Sequence, residues 1–203
     1  DDREEMLKTV AYLNTTPVTA VELNLSCPNI KQPRLIAQDA SSTHETIAAA
    51  RRLSQKTLIA KLTPNVTDIT EIGCAAEEAG ADILCAGNTF KGAVFDWRTT
   101  AFAIGGVSGN GIFPLTLRMV YDLYTVVTIP IIGLGGISSA NDALAMIFAG
   151  ASAIGIGTAM VVHPHLPETV CEGIKTYLQH NHVATISQMV GMYHEKARGA
   201  QSR

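Results

Sequence analysis

The sequence has no apolar run long enough to cross a bilayer. Its longest weakly polar stretch, 149–162, is 14 residues and carries Ser152 and Thr158, whereas a helical span needs about 20. No signal peptide is visible at the start. No membrane association is expected, and the expected location is cytoplasmic. Cysteine is scarce: Cys27, Cys74, Cys85 and Cys171, with no C-x-x-C pair. Neither a zinc ribbon nor an iron–sulfur ligand set is readable, and no metal site is expected. Cys74, Cys85 and Cys171 fall inside helix-like or strand-like stretches and are expected to be reduced, buried, small apolar residues. Basic charge does not cluster, and the net charge is −3, which argues against nucleic acid as a partner. Charged residues make up only 16% against 47% apolar, so disorder is excluded too. Repeats, low-complexity tracts and linkers are absent, and the 203 residues read as a single domain with a real core. An initiating Met is also missing. The chain opens DDREEM, and it is expected to be a piece of a longer protein.

What is present is an alternation. Short apolar runs at 19–25, 57–62, 82–87, 129–133 and 153–157 read as strands buried on both faces, the signature of a parallel sheet. Helix patterns follow at 43–55, 67–79, 113–125, 139–149 and 166–180. Thr43 or Ser42 can cap the first, with Glu45 in its first turn, and Thr67 or Asp68 can cap the second. Gly80 and Gly150 can close the second and fourth. A β-α order of this kind allows an open doubly wound sheet or a closed (β/α)8 barrel. A doubly wound dinucleotide fold wants G-x-G-x-x-G after its first strand. The nearest candidate, GLGGIS at 133–138, comes late and lacks the third glycine. In a barrel the phosphate site forms after the last two strands. Here those strands end in GLGG and GIGT, so the barrel is preferred. Counted back from the end, the runs become strands 4 to 8, with strands 1 to 3 absent from the chain; a complete barrel takes about 250 residues.

Barrel chemistry sits at the C-terminal ends of the strands. The first run ends with Asn24, Ser26, Cys27 and Asn29, the second with Lys61, and the third with Gly87, Asn88 and Thr89. A lysine late in an apolar strand is costly to bury unless something anionic meets it, so Lys61 is either a paired core lysine or a cofactor contact. The asparagines carry donors and acceptors together; they can line a ring or simply tie down loops. Cys27 differs from the other cysteines in standing at a strand end, which makes it a candidate for catalysis.

The stretches ELNLSCPNIK, IAKLTPNVTDI, GNTFKG, GGVSGNGIFPLTLRMV and IPIIGLGGISSANDALAMIFAGASAIGIGTA, in that order, resemble the class 1 dihydroorotate dehydrogenases, closest to the class 1B type. The resemblance covers nearly the whole chain. It implies a (β/α)8 barrel holding FMN at its C-terminal mouth and oxidising dihydroorotate to orotate in pyrimidine biosynthesis. Cys27 would be the general base. Asn24 would touch both flavin and substrate, Asn88 and Thr89 would bind the pyrimidine, and Asn29 would be a further contact. Lys61 would stand by the flavin's N1/O2 edge, where a fixed ammonium favours charge gathered on reduction. Gly87 and Gly109 would give backbone contacts to FMN, and Gly135, Gly136, Gly157 and Thr158 would cradle its phosphate. The implied partners are a subunit carrying FAD and an iron–sulfur cluster and a second copy of the chain. The electron acceptor, NAD or fumarate, is not readable.

Three features depart from the family pattern. The loop QPRLIAQD at 32–39 lacks the glycine-rich stretch usual in class 1B. GNGIFP replaces G-P-A-I-K-P, so Asn110 and Phe113 stand where proline and lysine are expected. Nothing matches the family's N-terminal third, with its first three strands, a further flavin-side lysine and the substrate loop. On its own the chain is expected to make half a site. Two other readings stand beside this one. Dihydropyrimidine dehydrogenase has a similar ELNLSCP and KLTPNVTDI but follows SCP with histidine, where this chain has Asn29. A non-catalytic barrel piece serving assembly or binding is the other.

Overall fold

The computed structural model describes residues 2–26 and 35–194. Cys27 and Asn29 lie outside the described residues. Five strands form one sheet: β1 (Ala20–Asn24), β2 (Thr57–Leu62), β3 (Ile83–Ala86), β6 (Ile131–Leu134) and β7 (Ala153–Gly155). All pair in parallel, in the order β1-β2-β3-β6-β7. Each coincides with one of the five apolar runs. The order follows the chain without reversal, so the sheet has no switch point of the doubly wound kind.

The helices are α1 (Asp2–Asn14), α2 (Ala40–Leu53), α3 (Ile69–Glu78), α4 (Phe113–Tyr124), α5 (Ala140–Ala149), α6 (Thr158–Val162) and α7 (Leu166–His180). Neighbours pack in chain order, α1 on α2, α2 on α3, α3 on α4, α4 on α5 and α5 on α7. This makes a single layer against the sheet. The core fills the space between, with Leu23, Leu58, Leu62, Leu84 and Ile131 all buried. Full burial of each such side chain stabilises by about 1.5–3 kcal/mol.

One layer of helices corrects the expectation of strands buried on both faces. In β1 Val21 and Leu23 are buried while Ala20, Glu22 and Asn24 are exposed. In β2 Leu58, Ala60 and Leu62 are buried and the alternate residues only half-buried. On the face turned from the helices the residues of β1 and β2 are exposed or half-buried, whereas Cys85 of β3 is buried there too. Cys171 is corrected for a related reason. It is exposed, because α7 buries Val170 and Ile174 at helical spacing. Cys85 is buried as expected, and Cys74 is half-buried.

The helix ends follow local chemistry. Asp68 caps α3 by accepting from the Thr70 amide at 2.8 Å. At α2 the cap is Asp39, not Thr43 or Ser42; its carboxylate accepts from the Ser42 amide at 2.7 Å. A charged acceptor three residues upstream starts the helix early. Thr43 is buried and turns its hydroxyl to the Ile36 carbonyl, 3.1 Å away. Glu45 therefore falls beyond the first turn and pairs with Arg3 at 3.1 Å.

The sequence reading places no element at 88–112. The structure inserts an antiparallel hairpin there, β4 (Phe90–Asp96) on β5 (Ala101–Val107). Its faces are not divided into buried and exposed, so the period-2 signal is missing. Phe95 and Phe102 face each other across the strands with ring centroids 6.2 Å apart. Among the described residues no helix is long and apolar enough to cross a membrane, and no group of three or more His, Cys, Asp and Glu could hold a metal ion.

Candidate active site

The parallel register sets Asn24, Lys61 and Cys85 side by side on adjacent strands. Glu22 lies two residues before Asn24 on the same face. The Lys61 ammonium is 3.6 Å from the Glu22 carboxylate, so it is partnered as well as placed at a strand end. Burial pushes the Cys85 thiol up to about 12, with the Glu22 carboxylate adding to the rise and Lys61 opposing it. Cys85 is therefore a neutral thiol at any ordinary pH and no candidate for a base or nucleophile. Cys27, the sequence's candidate, and Asn29 lie outside the described residues.

Beyond the strand ends lies a cavity of about 400 Å³. Lys61, Asn88, Thr89, Gly109, Gly135, Gly136, Gly157 and Thr158 all line it. Residues from five separate parts of the chain thus meet at one rim. Asn24 and Gly87 are not part of the lining. The position a Gly87 Cβ would take is filled by the Leu134 carbonyl oxygen, so glycine there lets β3 and β6 close together.

The far wall is built from the loop after β6. Gly135 and Gly136 have φ of +120° and +74°, where other residues are strained. A Cβ on Gly136 would stand 2.5 Å from the Phe113 amide nitrogen, and one on Gly135 2.6 Å from Thr116 Cγ2. The loop is thus pressed onto the start of α4, and Thr116 donates to the Gly135 carbonyl at 2.7 Å. Gly157 is different: nothing lies within 4 Å of its Cβ position. Its missing side chain leaves cavity, not contact.

Hydroxyls and amides complete the wall. Thr158 donates to Ser108 Oγ at 2.8 Å. Asn110 donates to Ser138 Oγ at 2.7 Å and to the Gly136 carbonyl at 3.3 Å. Asp142 holds Ser138 by accepting from its amide and its hydroxyl, each at 3.0 Å. The two departures in GNGIFP are thereby placed: Asn110 ties down the glycine loop and Phe113 packs beneath Gly136. Among the described residues no Asp or Glu lines the cavity, while Lys61 and His163 do. Open backbone, hydroxyls and a lysine with no lining carboxylate suit an anionic ligand.

Opposite this wall runs a chain of amides. The Thr89 amide donates to Asn88 Oδ1 at 2.8 Å. Asn88 Nδ2 donates to Ser26 Oγ at 2.5 Å, and Ser26 Oγ donates to Asn24 Oδ1 at 3.1 Å. Asn65 braces the same corner, donating to the Thr89 carbonyl at 2.9 Å and accepting from the Lys91 amide at 2.9 Å. Ser26, Asn65, Ser108, Asn110 and Ser138 are missing from the residues singled out in the sequence as site members. Their signal was present, since each is a small polar residue beside a candidate strand end or glycine turn.

The family model described as Dihydroorotate dehydrogenase matches residues 1–178. The protein named "Dihydroorotate dehydrogenase B (NAD(+)), catalytic subunit" from Trichlorobacter lovleyi is 42% identical over 194 residues, which is 93% of this chain and 64% of that protein. The protein of the same name from Brachyspira hyodysenteriae is 44% identical over 183 residues, 87% of this chain and 60% of that protein. The chain thus spans less than two thirds of the length of these relatives. Among solved structures, the ligand-free DHODH of Eimeria tenella superposes with a TM-score of 0.81 at 23% identity, covering 96% of this chain and 60% of that one. Its complex with ferulenol gives 0.77 at 24% identity, covering 96% and 57%. Identity this low speaks for the fold alone. With the family match over most of its length, the chain belongs to the dihydroorotate dehydrogenase family.

Proposed function

We propose that the chain is the C-terminal part of an FMN-holding (β/α)8 barrel, its sheet strands standing as strands 4 to 8 and residues 1–203 forming one domain with the rest. The whole protein would oxidise dihydroorotate to orotate in pyrimidine biosynthesis. The observation that carries this reading is the convergence of Lys61, Asn88, Thr89 and the glycine loops on one cavity at the strand ends. The name shared by the relatives from Trichlorobacter lovleyi and Brachyspira hyodysenteriae supports it.

The residues present fit the cofactor. A cavity of about 400 Å³ lies in the range of cofactor pockets. Gly135, Gly136, Gly157 and Thr158, with Ser108 beside them, would hold the phosphate, and Gly87 and Gly109 would give backbone contacts. Lys61 would hold a positive charge against the ring system, its strength moderated by Glu22. FMN held there would supply the hydride-accepting chemistry for oxidation at C6 of dihydroorotate. Cys27, as thiolate, takes the proton from C5. Asn24, Asn29, Asn88 and Thr89 orient the pyrimidine so that both hydrogens face their acceptors. Ser26, which directly precedes Cys27 in the sequence, sits in the amide chain with Asn24 and Asn88.

The word "catalytic subunit" in the relatives' name favours a partner, here a subunit carrying FAD and an iron–sulfur cluster that delivers electrons to NAD. A homo-oligomer in the cytoplasm completes the proposal. The test uses the full-length protein with FMN bound. Dihydroorotate should bleach the flavin absorbance anaerobically and yield orotate. Turnover of uracil with NAD(P)H and no orotate formation would replace this reading with the dihydropyrimidine dehydrogenase one. A protein that takes up no FMN would favour a binding role.

A further inference from the structure

We infer that Ser26 is a positioning residue that relays the fixed orientation of Asn88 to Asn24 and so sets which end of the Asn24 amide is offered to the substrate, an inference that rests on the function proposed above. An asparagine side chain can present either its carbonyl or its NH₂ at nearly the same place. Something must therefore choose, and here the choice starts from a group that has none. A backbone N–H can only donate. The Thr89 amide donates to Asn88 at 2.8 Å, so the atom it meets is the carbonyl oxygen, Oδ1. The other end of Asn88 must be Nδ2, and this donates to Ser26 Oγ at 2.5 Å and toward the Ser26 carbonyl at 3.4 Å. With a donor aimed at it, the Ser26 hydroxyl turns its single proton away. That proton meets Asn24 at 3.1 Å, and the atom that accepts it must again be Oδ1.

The orientation of Asn24 is thus dictated, through one hydroxyl, by a peptide group 65 positions along the chain. Two consequences follow. Among the described residues no acceptor meets the Asn24 NH₂, which leaves it a donor. Asn88 has its NH₂ directed to Ser26 and keeps only spare acceptor capacity on Oδ1. The pair offers one donor and one acceptor. That pattern complements a ring carrying C=O and N–H side by side, the imide and ureide edges of a dihydropyrimidine. A pair of free-turning amides would accept the reversed pattern equally well.

Ser26 is only 2% exposed, so no water takes the place of its hydroxyl without rearrangement. Its removal would leave a donor on Asn88 and an acceptor on Asn24 without the hydroxyl that joins them. Asn24 could then turn, while the Thr89 amide still holds Asn88.

The test uses the full-length protein with FMN bound, in three forms: wild type, Ser26→Ala and Ser26→Thr. Flavin content reports folding. The Kd for orotate, read from the change in flavin absorbance, reports the amide pattern independently of turnover. Ser26→Ala is expected to hold FMN, to bind orotate roughly tenfold more weakly and to raise KM for dihydroorotate more than it lowers kcat. Ser26→Thr, which keeps the hydroxyl, is expected to recover most of the affinity. If Ser26→Ala holds no FMN, Ser26→Thr and Ser26→Cys decide, since a thiol is a weak donor and acceptor; equal orotate affinity in those two overturns the inference. So does wild-type affinity in Ser26→Ala. A wild-type protein that neither binds orotate nor is reduced by dihydroorotate overturns the functional reading and this inference with it.

Discussion

Single atoms separate structural from functional positions in the glycine-rich wall. A Cβ at Gly136 collides with backbone at a positive φ, whereas one at Gly157 meets nothing. Gly136→Ala is therefore expected to destabilise the full-length protein by about 2 kcal/mol or more, from strain and displacement together. Gly157→Ala is expected to leave the unfolding midpoint unchanged while weakening FMN retention, because the added methyl enters the cavity. Urea unfolding and flavin content on the two variants would check this. Equal effects on both measurements would show that the cavity does not hold the phosphate. Chemistry at Cys27 makes a second expectation at this scale. Cys27→Ala should keep FMN and slow its reduction by dihydroorotate severely. Cys27→Ser should retain weak activity that rises with pH, because a hydroxyl is the poorer base near neutrality. Rapid-mixing measurement of flavin bleaching decides both.

Between elements, the joint of α3 to the loop before β6 rests on one carboxylate. Glu77 Oε1 accepts from the Thr128 amide at 2.9 Å, its hydroxyl at 2.6 Å and the Ile129 amide at 3.1 Å. Burial pushes the Glu77 carboxyl up, but these hydrogen bonds outweigh it and hold the group below its usual 4.5. A carboxyl titrating lower in the folded state stabilises fully above the unfolded value and loses that contribution as pH falls through the folded one. Glu77→Ala is expected to lower stability by about 1–2 kcal/mol at pH 7. The gap from wild type should narrow as pH falls below 4.5. Urea midpoints against pH would show it, and a gap unchanged at low pH would mean the loss is of packing alone. The element boundaries themselves were largely readable. α7 runs over 166–180 as its apolar spacing indicated, and Asp68 caps α3 because a short acidic side chain reaches its own helix amides. The hairpin at 90–107 was not, since neither of its faces is buried and nothing in its spacing marks an inside.

At the scale of the whole molecule, the sheet has one face covered by helices and one that is not. Glu22, Asn24 and Lys61 stand on the uncovered face near the cavity. The proposal of a barrel whose remaining strands belong to the longer protein makes a direct expectation. The polypeptide 1–203 produced alone should retain little FMN and should bind a hydrophobic dye such as ANS. The full-length protein should hold flavin stoichiometrically and bind the dye weakly. Absorbance and dye fluorescence measured side by side check it. Flavin retained at full stoichiometry by the fragment would mean that the cavity needs no further strands.

Local chemistry in the sequence determined the five apolar strands, most of the helix ends and the glycine turns, because each depends on neighbours within a few positions. It also marked Lys61, Asn88, Thr89, Gly135, Gly136, Gly157 and Thr158 as candidates, because polar residues at the ends of apolar strands have few other reasons to be there. Only the tertiary structure decided that they share one cavity, that Glu22 pairs with Lys61, and that Gly87 serves strand packing. Only there does the Thr89 amide set the direction of Asn24 through Ser26. Those facts depend on strand order and register, which bring together groups far apart along the chain and which no local pattern encodes.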